Sequence, residues 1–237
     1  FPRPFDNPSG PFVADLVIGQ PDFTTRTDGV ATRDRLFRPV SITFTYDGHL
    51  VVSDAGHHRV LLYRDSPFSN GQAADVILGQ PDGTSSASGS GPAQLNYPAS
   101  VAIDPDDRLY VADRNNGRVS IFNRINTQSD GADAAPLPIS AGRGLPVNVT
   151  VSSRTGQIYV ADFAQYTDTV QKVPGSLIWR FDRDQVLFGG STPDPTFRIW
   201  TYFPKGLVLD PKDNVLVVDG GQRVLPALQT PTLELFL

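Results

Sequence analysis

Cysteine and methionine are both absent from the 237-residue sequence. Without cysteine there is no disulfide, no thiolate nucleophile and no sulfur-ligated metal. No apolar run approaches the ~20 residues that a membrane-spanning helix needs. Lysine and arginine number 20 against 25 acidic residues, a net charge of −5. With no basic cluster to neutralise phosphates, nucleic acid is not an expected partner. Neither a G-x-S-x-G elbow nor a G-x-x-x-x-G-K-[ST] loop occurs, which removes two common routes to hydrolysis and phosphate binding. The three histidines, His49, His57 and His58, make a poor zinc set, because neighbours on a strand point to opposite faces. The sequence opens on Phe1 rather than methionine. A removed signal peptide, and so an extracytoplasmic location, is the expectation.

What the sequence holds in quantity is punctuation. Glycine and proline occur 21 times each, which suits many short elements rather than long helices. Residues 1–13, with Pro2, Pro4, Pro8 and Pro11, read as an extended lead-in. Residues 14–237 read as one domain. Within it, Arg108 to Ile121, RLYVADRNNGRVSI, is a strand, a polar turn and a second strand.

That unit recurs four times. The proline that opens each copy falls at Pro39, Pro98, Pro146 and Pro204. The aspartate that ends the second strand falls at Asp54, Asp113, Asp162 and Asp219. A linking phrase, ADLVIGQPDF from Ala14, returns as ADVILGQPDG from Ala74. Fainter copies are DAAPLPISAG from Asp133 and QVLFGGSTPD from Gln185. Read as the fourth strand of each unit, these phrases give four-stranded antiparallel blades, an all-β propeller. In the third copy Phe163 to Ser176 reads as an insertion in place of the short turn, and in the fourth Gln222 to Leu228 reads as the third strand.

The unit Pro-x-x-apolar-x-apolar-Asp followed by L-Y-V-A-D-x-x-N-x-R-apolar resembles the NHL repeat. The likeness is sharpest at Asp113 to Val119 and Asp54 to Val60. The linking phrase is similar to that of bacterial extracytoplasmic members. The resemblance implies NHL-like blades, which in that family usually close as a ring of six. Two arrangements stay open. One is a four-bladed ring closed by the Ala14 phrase beside Gln222 to Leu228; the other is a segment of a larger six-bladed ring. Some relatives of this fold, amidating lyases and lactonase-like propellers, hold a metal in the central channel.

The repeated aspartates are expected to accept hydrogen bonds from the N–H groups of their own turns. Arg59, Arg118 and Arg223 are expected to partner backbone or neighbouring blades. Asp104, Asp106 and Asp107 read as turn chemistry. No metal ligand set, cofactor site or catalytic residue emerges. The long connections are expected to gather on one face, with Arg35 and Phe197 and six binding candidates: Arg38, Phe163, Tyr166, Arg198, Trp200 and Tyr202. Aromatic side chains mixed with arginine are the composition of interface anchors. The expected function is a non-catalytic binding or scaffold module taking a protein, peptide or glycan partner there. The alternative is a metal-dependent lactonase or lyase with its site in the channel.

Overall fold

A computed structural model describes residues 14–26, 29–64, 68–139, 144–167 and 174–220, with the backbone alone at 165, 167, 174 and 232–236. The first blade is β1 (Pro39–Phe44), β2 (Leu50–Asp54), β3 (Arg59–Tyr63) and β4 (Val76–Leu78). The second is β5 (Pro98–Ile103), β6 (Leu109–Asp113), β7 (Arg118–Phe122) and β8 (Ala135–Pro138). The third is β9 (Pro146–Val151), β10 (Ile158–Thr167), β11 (Pro174–Phe181) and β12 (Arg198–Thr201), with a short helix α1 (Arg183–Leu187) before β12. The fourth is β13 (Pro204–Leu209), β14 (Val215–Asp219) and β15 (Thr232–Phe236). All pairings are antiparallel. The chain is an all-β propeller-type array of four blades, the last with three strands among the described residues.

Every innermost strand starts on its repeated proline. Proline has no N–H to give a ladder, so the first residue of an edge strand is where it costs least. In β6 and β10 both faces of the second strand are buried, and each face packs on a different neighbouring blade. Leu109 and Val111 join Val51, Val60 and Leu62 between blades one and two. Tyr110 and Ala112 join Val149, Ile158 and Val160 between blades two and three. Tyr159, Ala161 and Ile178 meet Leu207 and Val217 between blades three and four. Burying each such side chain is worth about 1.5–3 kcal/mol.

Several sequence expectations fail, for physical reasons. The QVLFGG phrase is not the third blade's fourth strand: Asp182 caps α1 there by accepting from the Gln185 N–H, and β12 takes the outer place. The insertion Phe163 to Ser176 replaces the short turn, and its described residues lengthen β10 and β11, paired at Tyr166↔Gly175 and Thr167↔Pro174. The proposed strand Gln222 to Leu228 lies outside the described residues, and 232–236 pairs directly with β14. Residues 14–18 form no strand and lie against the first blade, with Gly71 N–H donating to Val17 O; their expected partner Gln222 to Leu228 is outside the described residues. The long connections do not gather on one face. β3 runs back to the level of the 45–49 turn before segment 64–75 leaves it, and Asn126 of segment 123–134 bonds Asp47 in that turn.

The linking phrase itself is a turn device used twice. Asp22 accepts from Thr24 and Thr25, through backbone N–H and hydroxyl alike. Asp82 does the same with Thr84 and Ser85. These donors favour the ionised form, and both carboxyls are lowered to about 2, with the side-chain hydroxyls the largest cause. A folded-state pKa below the unfolded value contributes stability above that value and loses it as pH falls. The two turns should therefore weaken only as pH drops from about 4 toward 2. Carboxyl carbon NMR titration checks this, and midpoints near 4 for Asp22 and Asp82 would refute it.

Candidate functional site

The repeated aspartates build the face where second strands turn into third. Each accepts a backbone N–H from the start of its own blade, 17 residues earlier. Phe37 donates to Asp54 (2.6 Å), Asn96 to Asp113 (2.8 Å), Leu145 to Asp162 (2.6 Å) and Tyr202 to Asp219 (2.8 Å). The carboxylates thus clasp the beginning of one strand to the end of the next. They do not mainly serve their own turns, as the sequence suggested; Ala164 N–H on Asp162 is the local exception.

The second oxygen distinguishes the blades. Asp54 receives Arg59 Nε (2.8 Å) and His57 Nδ1 (2.7 Å), all three nearly without solvent access. Arg59 then donates to the carbonyls of Thr32, Arg35 and Gly83, pinning the long connection. Asp113 receives Arg118 Nε and Asn116 Nδ2, both at 2.8 Å, and Arg118 ties down Ser90, Gly91 and Gln94. In blade three the position opposite the aspartate is Leu177. No cation pairs with Asp162 among the described residues; Tyr166 Oη and Trp179 Nε1 (3.2 Å) donate instead. Arg223 lies outside the described residues.

Replacing arginine by aromatic donors turns the third blade into an aromatic platform. Tyr166 meets Trp179 edge to face at 5.7 Å, and Arg198 lies 5.8 Å over Trp179. Phe163 meets Phe203 at 4.4 Å, and Lys205 lies 5.6 Å over Phe203. Trp200 closes over Gly175, where an added Cβ would sit 3.1 Å from its ring. Strand alternation puts Arg198 and Trp200 on one exposed side of β12, while Thr201 is buried; Tyr202, just past the strand, is exposed as well. Trp200, Tyr202 and Phe203 keep 37%, 42% and 43% of their surface.

Among the six binding candidates, Tyr166 and Arg198 both meet Trp179, while Phe163 meets Phe203. Arg38 does not join them: it belongs to the first blade and lies 5.2 Å over Phe37. Phe197 is also elsewhere, against Tyr159 and beneath Arg180. Trp179, Phe203 and Lys205 complete the group without having been singled out. The signal for Trp179 was available, as it occupies the place of Ser120, whose hydroxyl reaches Asp113 in blade two.

Elsewhere the chemistry is structural. His49 pairs with Asn126, His57 with Asp54, and His58 Nδ1 accepts the Tyr97 N–H. Burial first, and the neighbouring His57 second, lower the His58 imidazole below its ordinary pKa. Asp104 closes its turn by accepting from Asp106 and Arg108, and takes the Tyr110 hydroxyl. Among the described residues no three of His, Asp and Glu are grouped to cage a metal ion. A cleft of about 850 Å³ opens on the opposite end of blade three, between Gln157, Arg180, Asp194 and α1. No described helix is long and apolar enough to cross a membrane.

Comparison with known proteins bears on the unit that carries this geometry. Residues 95–122, the β5–β7 stretch with its Asp113–Arg118 clasp, match the NHL repeat family. This chain carries an NHL repeat. By fold, this chain is similar to a gluconolactonase from Xanthomonas campestris (18% identity, TM-score 0.52, 80% of this chain and 56% of that one). It is similar to the PQQ-bound aldose sugar dehydrogenase from Streptomyces coelicolor (18%, 0.52, 83% and 60%). It also matches a virginiamycin B lyase from Staphylococcus aureus (13%, 0.49, 77% and 49%). This chain thus spans about half to three-fifths of these structures' length. At such identities the likeness shows the β-propeller fold alone. No curated protein sequence matches significantly.

Proposed function

We propose that this chain is a non-catalytic binding module whose partner, a protein, peptide or glycan, lies on the aromatic platform of blades three and four. The observation that supports it is the run Arg198, Trp200, Tyr202 and Phe203, exposed on β12 and the segment that follows it, where β12 pairs with the lengthened β10–β11 hairpin. Aromatic side chains lose little rotamer freedom on contact and offer large faces to sugar rings, aliphatic chains or cations. Nothing inside the blade requires them to stay exposed, whereas the matching edge of blade two carries Ala135 to Pro138.

The second reading is a lactonase or lyase. What supports it is the likeness in fold to the gluconolactonase and the lyase above. The acid and histidine side chains described here do not fit a channel metal, because each is committed to a separate local contact.

Arrays of glycans and of peptides, probed with the purified chain, separate the readings. A captured compound should bind Trp200→Ala/Tyr202→Ala about 30-fold more weakly, about 2 kcal/mol, as for a two-residue hot spot. The melting temperature should stay put, since both side chains are exposed. Equal affinity of the variant, or lactone hydrolysis by a chain that captures nothing, would sink the binding reading.

A further inference from the structure

The connection from the third to the fourth strand of a blade returns along the end opposite the clasps. In blade three it is residues 182–197, longer than its counterparts 64–75 and 123–134. The extra length does not pack down, for Leu187 and Phe188 stay exposed. Asp182 starts α1 by accepting the Gln185 N–H at 3.0 Å. The helix ends where Phe188 N–H donates to Asp184 O and Gly190 N–H to Gln185 O. That ending needs glycine: Gly189 holds φ +85°, and a Cβ on Gly190 would lie 2.8 Å from the Gln185 carbonyl oxygen. The chain re-enters the blade at Asp194, whose N–H donates to Arg180 O. Between α1 and this re-entry lies the cleft of about 850 Å³, inside the ~300–1,000 Å³ span of small-molecule sites.

Part of the lining is fixed in advance. The Arg180 guanidinium donates to Asp194 through Nε (3.2 Å) and Nη2, and lies 4.6 Å over Phe197. Asp194 also takes the Thr196 N–H (2.8 Å) and hydroxyl (2.6 Å). Tyr159 Oη donates to Gln157 Oε1 at 3.1 Å, which leaves the Gln157 Nε2 donors as the free end of that amide. Asp182 spends one oxygen on its cap, and the other has no partner among the described residues. The Gln185 amide lines the same space. Beside them stands Phe188, 92% exposed and held out by a hydrogen-bonded helix end.

Charge and hydrogen bonding narrow the ligand. Arg180, the one cation of the lining, is already paired with Asp194, while Asp182 and Asp184 face the cleft as well. A phosphate or carboxylate would meet like charge there. An apolar ligand would leave the amides and carboxylates without partners. A basic side chain would suit Asp182 but set its own donors against those of Gln157. Hydroxyl groups satisfy both, giving to a carboxylate and taking from an amide, and the C–H face of a sugar ring covers an aromatic face.

We propose that this cleft binds a non-anionic saccharide, with one sugar ring on Phe188 and its hydroxyls shared between Asp182, Gln157 and Gln185. The site is separate from the aromatic platform, at the other end of blade three.

Titration of the isotope-labelled chain with cellobiose, glucosamine and galacturonic acid, followed by backbone amide shifts, tests this. Cellobiose or glucosamine should move the amides of residues 182–194 and leave those of 198–203 in place, and galacturonic acid should move neither set. Phe188→Ala, at an exposed site, should weaken the binding about 5-fold without moving amides elsewhere in the chain. The proposal is overturned if neither sugar moves those amides, if galacturonic acid binds as well as they do, or if lysine amide binds more tightly. Wild-type affinity in Phe188→Ala overturns it too. A sugar that moves 198–203 instead supports the platform and overturns the cleft.

Discussion

Asp54→Ala is expected to cost about 3–5 kcal/mol of stability, the usual effect of stripping one partner from a buried ion pair. Asp162→Ala should cost only about 1–3 kcal/mol, the effect of leaving neutral donors unsatisfied. The two residues occupy the same place in their blades, and both are fully buried. They differ in what is stranded when the carboxylate goes. Removing Asp54 leaves the Arg59 guanidinium without its anion at a site with no solvent access. Removing Asp162 leaves the Leu145 N–H, the Tyr166 hydroxyl and the Trp179 indole, none of them charged. Urea unfolding midpoints of the two variants measure the difference. Equal losses would mean that the cation contributes nothing beyond its hydrogen bonds.

Gly79→Ala should cost about 4 kcal/mol, and Gly48→Ala about 1–2 kcal/mol. Both glycines hold a positive φ, +87° and +92°, so an alanine at either strains the backbone by about 1–3 kcal/mol. Only Gly79 has a second penalty. A Cβ there would lie 2.5 Å from Leu95, which is itself fully buried at the seam of blades one and two, while nothing stands within 4 Å at Gly48. Overpacking a filled core adds about 1–3 kcal/mol. Thermal unfolding of both variants decides it, and similar losses would show that Leu95 can step aside freely.

The first two blades were legible because local and global signals agree there. Proline opening a strand, period-two alternation, and aspartate before a turn each have one reading at Pro98 to Phe122. The third blade misled where those signals competed. Gln185 to Gly190 carries the apolar pattern of the linking phrase, yet Asp182 three residues before Gln185 is an N-cap signal, and the cap won. Phe163 to Ser176 reads as an insertion because the Asp–Arg spacing is lost, and its described residues pair β10 with β11 beyond the length of the other blades. The partner of Asp162 was legible only through register, since Trp179 occupies the place that Ser120 holds in blade two. Exposure was the least legible property. Val40, Ile42 and Phe44 alternate as any buried strand does, because a sequence records which side chains suit a seam and not whether the seam is filled.

Blades that touch only their sequential neighbours form a linear array rather than one core. Such arrays behave like a chain of coupled units, each with its own folding free energy and one coupling term per junction. The Asp–N–H clasp, spanning 17 residues, closes inside a single unit, so it belongs to the unit's own term. The apolar seams are the couplings. Among the described residues blades two and three each hold two couplings, so a lesion in either weakens two junctions at once. Stability in this chain is accordingly a matter of how many junctions are occupied, and each occupied junction adds cooperativity to the next.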